Sequence, residues 1–199
     1  MKKSILGVVL IAAMFNLLTA CAAKTQIKTN KSQSYAGQPR KIFAVLSVTG
    51  MIEARGGGTE AARYFYDALT GKMSAILGDC GVEFSASNAG TGANEAEVTA
   101  ALNSFQPDAI LQMQTKGYTG KGFDLLSLTY EASLLDKISK DMVWRANLVF
   151  DVARVNYKVG ISTASDFYNV RGAALAVDLT NQMKKDGLLG TCPLISPQK

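Results

Sequence analysis

Histidine is absent from all 199 residues of this chain. That removes the imidazole on which Ser-His-Asp triads, Cys-His pairs, histidine acid-base chemistry and histidine zinc sites depend. Cysteine is scarce, with three residues at positions 21, 80 and 192. No two of them have C-x-x-C spacing, which argues against a thioredoxin-like redox centre or a cysteine metal knuckle. Charge of one sign is never gathered in a block. The formal net charge of +5 falls to about +3 once the two N-terminal lysines are set aside, and the remaining lysines and arginines are scattered among acids. Such a pattern is an ordinary solvated surface rather than a nucleic-acid footprint. No catalytic residue, no metal and no cofactor is expected, and the chain reads as a non-enzyme.

Long apolar runs are missing except at the N-terminus. There Lys2 and Lys3 precede an almost wholly apolar stretch, Ile5 to Phe15, and small residues Thr19 and Ala20 precede Cys21. This is the layout of an export signal over residues 1–20. The run is shorter than the roughly 20 residues of a comfortable membrane-spanning helix. Leu18-Thr19-Ala20-Cys21 resembles the bacterial lipobox. The resemblance implies diacylation of the Cys21 thiol, cleavage before it and attachment to a membrane through lipid. Two or three acyl chains hold firmly where one binds marginally, because each buried methylene contributes about 0.8 kcal/mol. Ala22, where such lipoproteins bear aspartate when retained at the inner membrane, implies the outer membrane, with the domain in the periplasm.

Residues 21–40 are rich in Lys, Thr, Gln, Ser and Asn, and read as a flexible linker behind the lipidated cysteine. Residues 41–192 are long enough for one domain and one core, and 193–199 form a tail. The run Lys41 to Gly50 is rich in branched and aromatic residues and reads as a buried strand. Thr59 to Leu77 carries Ala61, Phe65, Leu69, Met73 and Ile76 at helical spacing. A short strand at Val82 to Ser87 follows. A second helix is announced by Asn94 and Glu97 as a capping box and must end before Pro107.

After the strand "DAILQMQTKGYT", two stretches alternate with a period of two. Leu126, Leu128, Tyr130, Ala132 and Leu134 form one apolar face, and Trp144, Ala146, Leu148, Phe150 and Val152 the other. The polar segment Leu135 to Trp144 joins them as an antiparallel hairpin. Ala164 to Leu188 reads as a long final helix closed by Gly187. The expected fold is α/β (α+β), a single mixed sheet with helices packed on it, in the order β-α-β-α-β-β-β-α. Early crossovers are parallel and right-handed. An exported domain matures under oxidising conditions, so Cys80 and Cys192 are a possible disulfide if the helices before them run parallel.

The strand "FAVLSV", the strand "DAILQMQ", the hairpin "LLDKISKDMVWRA" and the helix "AALAVDLTNQMKKDGLL", taken with the lipobox, resemble small envelope lipoproteins. These include uncharacterised families with domains similar to the amino-terminal domain of the translocation protein TolB, and the lipoprotein activators of penicillin-binding proteins. Asp136, Trp144 and Arg145 match a pattern of strand-ending aspartate, polar turn and hydrophobic-Trp-Arg. The likeness implies an assembly or interaction role with an envelope protein partner, and no nucleic acid.

Weaker features are read as architecture. Arg55 to Glu60, "RGGGTE", lacks the lysine and spacing of a phosphate loop. Gly90 to Gly92, "GTG", lacks the rest of a dinucleotide fingerprint. The pairs Asp67 with Asp79, and Glu95 with Glu97, read as helix faces and caps. Trp144 is expected to plug the core; at the hairpin tip beside Arg145 it would instead be an interface anchor. Lys116 to Asp124, with Tyr118 and Phe123, reads as a mobile glycine-rich loop available to a partner. Two function classes follow: a protein-docking envelope lipoprotein, and a small-molecule or glycan-binding module such as a transporter auxiliary lipoprotein.

Overall fold

Alternation of apolar and polar residues decides which side of each strand is covered. The computed structural model describes residues 25–49, 52, 58–89, 94–121, 124–151, 164–190 and 192. The export signal, Cys21, Arg55, Gly90 to Gly92, Phe123 and the tail 193–199 lie outside the described residues. The elements are β1 (Gln26–Lys31), β2 (Lys41–Ser47), α1 (Gly58–Gly78), β3 (Glu83–Asn88), α2 (Glu95–Phe105), β4 (Ala109–Lys121), β5 (Asp124–Asp136), β6 (Met142–Asp151) and α3 (Ala164–Lys185). They form a single six-stranded mixed sheet in the order β1-β6-β5-β4-β2-β3. β2 pairs in parallel with β3 and β4, and the pairs β4-β5, β5-β6 and β1-β6 are antiparallel.

One face of this sheet carries the core. Ile42, Ala44 and Leu46 of β2, Leu111 and Met113 of β4, Tyr130, Ala132 and Leu134 of β5, and Trp144, Ala146, Leu148 and Phe150 of β6 are buried together. Against them pack Phe65, Leu69, Met73 and Leu77 of α1 and Leu175, Ala176, Leu179 and Met183 of α3. The two helices meet closely at Gly172, where a Cβ would press on the carbonyl of Phe65 and come within 3.0 Å of the Leu69 nitrogen. Only glycine fits that crossing, and it sets the helices side by side in parallel.

Both helices stop the same way. Gly81 and Gly187 adopt φ of +71°. The Val82 N–H then returns to the Leu77 carbonyl, and the Leu188 N–H to the Met183 carbonyl. Parallel helices with matching ends bring the cysteines that follow them together: Cys80 and Cys192 form a disulfide with a Cα separation of 5.1 Å. The second helix, α2, begins at Asn94, whose side chain accepts from the Ala96 N–H. Glu97 meets the Asn94 side-chain amide rather than its backbone N–H, so the box is made through side chains.

Two expectations are corrected. The segment read as a flexible linker contains β1, an edge strand with Ile27 packed on the core and Lys31 Nζ donating to the Asp186 carbonyl at 3.0 Å. Tertiary partners hold this strand, although its own sequence is almost wholly polar. The segment read as a loop, Lys116 to Asp124, is largely strand. β4 runs on to Lys121 and β5 starts at Asp124, with register shifts between Thr115 and Gly117 and between Thr119 and Gly120, where Lys116 of β4 and Leu126 of β5 are the extra, unpaired residues.

Candidate functional site

With α1 and α3 on one face, the opposite face of the sheet is covered, among the described residues, only at the β2-β3 end. There Phe43 is fully buried, and its ring centroid lies 6.0 Å from that of Phe105 on α2. Across β4, β5, β6 and β1 the strand register lines up three rows of outward residues. One row is Asn30, Arg145, Ser133 and Gln112; the next is Lys28, Asn147, Glu131 and Gln114; the third is Gln26, Val149, Thr129 and Gly117. Arg145, Asn147 and Val149 are all exposed, as are Gln112, Gln114, Lys28 and Asn30.

Amides, hydroxyls and cations dominate this surface. Glu131 is its central acid, and it is already engaged: Lys116 Nζ lies 3.4 Å from Oε1, and Gln114 Nε2 donates to the same atom at 3.1 Å. Lys28 and Arg145 are in no ion pair among the described residues, and with Lys116 they outnumber the acids Glu131 and Asp151 of this face, so it carries a slight positive bias. Pleated backbone holds these groups at fixed spacing.

Neighbours on one strand point opposite ways, and this separates the residues singled out in the sequence. Trp144 is 1% exposed, and its Nε1 donates to Asp186 Oδ2 at 2.7 Å. It fills the core, on the opposite side of the strand from Arg145, and not the hairpin tip where it would have been an anchor. Arg145 emerges on the open face. Asp136 ends its strand by accepting from the Ile138 and Ser139 N–H groups at 3.0 and 2.8 Å, and Lys140 completes the turn at a φ of 62°. The matching aspartate therefore shapes the turn. Tyr118 is 43% exposed near the far end of β4, and its register partner Leu128 belongs to the core face, so it does not join Arg145. Phe123 falls outside the described residues.

Asp186 was not foreseen. One carboxylate oxygen holds Trp144, the other accepts from Gln182 Nε2 at 3.0 Å, and its carbonyl holds Lys31. It ties β1, β6 and α3 together, and its place just after an amphipathic helix gave no signal of that role. Arg171 was not foreseen either. It is 3% exposed, with its guanidinium over the Phe167 ring. Burial lowers its pKa to about 9, opposed by the nearby Tyr168 and Tyr130 hydroxyls. Tyr130 is fully buried, its hydroxyl has no hydrogen-bond partner among the described residues, and burial pushes its pKa far up, with Arg171 working against that rise. These groups are sealed between sheet and helix, away from solvent.

A groove of about 380 Å³ at the β3 edge is lined by Ser74, Gly78, Gly81, Val82, Glu83 and Phe84. It is open, and its one acid, Glu83, pairs with Lys41 at 3.5 Å. Among the described residues no group of three or more cysteine, aspartate or glutamate side chains is arranged for a metal ion.

No protein-family model matches the chain, and no curated relative does. Two solved structures are weakly similar. The PelC dodecamer from Paraburkholderia phytofirmans is 14% identical, with 75% of this chain and 93% of that chain covered at a TM-score of 0.40. The lipoprotein GNA1162 from Neisseria meningitidis is 14% identical, with 74% and 99% covered at a TM-score of 0.36. At such values the likeness carries no argument about what this chain does.

Proposed function

We propose that the protein is an outer-membrane-anchored periplasmic lipoprotein with a non-catalytic role, docking an envelope protein through the open face of its sheet. The lipobox at Leu18 to Cys21 supports the anchor, and the missing histidine argues against most acid-base enzymes. The expected likeness to TolB-type domains and to activators of penicillin-binding proteins belongs to this reading. The observation that carries the docking role is the polar, positively biased surface formed by Lys28, Arg145, Asn147, Gln112 and Gln114 on the side that α1 and α3 leave bare. An acidic partner surface would find paired hydrogen bonds there without reordering the backbone.

The test is affinity capture from cross-linked envelopes. A stoichiometric protein is expected with the intact chain, lost with Cys21→Ser and reduced with the double variant Lys28→Glu and Arg145→Glu. Capture that survives the charge reversal places docking elsewhere. No capture with any form favours the alternative of a small-molecule or glycan-binding module.

A further inference from the structure

The strand β1 begins five residues after Cys21. Thr25, immediately before it, is already buried and bonded through its hydroxyl to the Asp178 carboxylate. Between the lipid-bearing cysteine and the fixed body there are therefore four chain steps, about 14 Å at full extension, where a spacer reaching to residue 40 would span about 70 Å. The direction of that short tether is also set. β1 is antiparallel to β6, so the chain enters the sheet from the end at which β6 finishes and the β4-β5 hairpin turns.

Gln26, Val149, Thr129 and Gly117 form one row across the four strands. Beyond that row β4 continues through Tyr118, Thr119, Gly120 and Lys121 before the hairpin turns back at Asp124. Four further residues project about 13 Å at the usual strand rise. Measured from the same row, Cys21 is five chain steps away, about 17 Å at full extension, so the tether reaches just past the overhang.

We propose that the β4-β5 hairpin end of the domain rests on the phospholipid headgroup surface, with the body held there by the three-residue tether between Cys21 and Thr25. The inference rests on lipidation of Cys21. Tyr118, 43% exposed on this overhang, is an aromatic residue with a polar tip, suited to the headgroup layer. Ile138, 92% exposed in the β5-β6 turn, lies beyond the other end of β5, about 27 Å along the strand from the level of Tyr118 to Asp136. The open sheet face then stands upright from the membrane and remains available to a partner in the periplasm.

The test uses the full-length lipidated protein on phosphatidylcholine vesicles containing a headgroup-nitroxide phosphatidylcholine. Tyr118→Trp and Ile138→Trp variants are compared, with buried Trp144 as their shared background. The expected result is loss of most of the added emission in the Tyr118→Trp protein and none in the Ile138→Trp protein. Inserting a long Gly-Ser segment between Cys21 and Thr25 should restore the lost emission. Protein that floats with the vesicles yet shows no difference between the two variants overturns the orientation while leaving the anchor in place. Protein that fails to float overturns the lipid anchor, and the orientation falls with it.

Discussion

On β6, alternate residues serve two different purposes. Trp144, Ala146, Leu148 and Phe150 are closed off beneath α1 and α3, whereas Arg145, Asn147 and Val149 stand in solvent. The first set contributes stability and specifies the fold. The second contributes little to either, so its composition is free to answer to a partner. Substitutions on the two faces should therefore separate cleanly, one set changing folding and the other changing capture.

The largest effect is expected at the helix crossing. Gly172→Leu cannot be seated without moving α1 backbone at Phe65 and Leu69, and soluble folded protein should be lost or greatly reduced in expression trials. Trp144→Ala comes next. It empties the largest fully buried side chain and leaves Asp186 without its indole donor, which should cost about 3–5 kcal/mol in denaturant unfolding. Replacing Cys80 and Cys192 with serine should cost about 2–5 kcal/mol, read as a lower urea midpoint, because the bond closes a loop over a sequence separation of 112.

A smaller, pH-dependent effect tests the sealed polar group. The Tyr130 pKa is raised in the fold, so its contribution is present below pH 10 and is lost as pH rises further. The unfolded chain gains about 1.4 kcal/mol per pH unit above 10 by ionising this tyrosine. Tyr130→Phe, which also removes an unbonded buried hydroxyl, should be at least as stable as wild type at pH 7. Its advantage should grow by about 1.4 kcal/mol by pH 11 in denaturant titrations. Arg171, the cation facing Tyr130, is common to both proteins. Smallest of all is Arg145→Ala, expected to change unfolding by no more than about 0.5 kcal/mol while weakening partner capture.

How far the sequence foretold this depends on where each element gets its support. The helices were legible because their stripes and stop signals are local: Ala61 to Leu77, Asn94 before α2, Gly187 after α3. The hairpin was legible from its period of two. β1 was not, because "QIKTNK" offers one strongly apolar residue and its stability comes from Asp178, Asp186 and β6. The glycines of "KGYTGKGFD" signal a loop, yet Gly117 and Gly120 pair within the long β4-β5 ladder beside its register shifts. The alternation of Arg145, Asn147 and Val149 against the core residues was visible from the start. Which face would stay bare was not, because that follows from both long helices packing on the same side.

The most direct test of the docking face is site-specific photo-cross-linking in intact cells. A photoreactive residue at Asn147, in the middle of the open face, is compared with one at Thr99 on the exposed surface of α2. A discrete protein adduct from position 147 and none from 99 is the predicted result. Adducts from 99 alone, or none from either position, would contradict it.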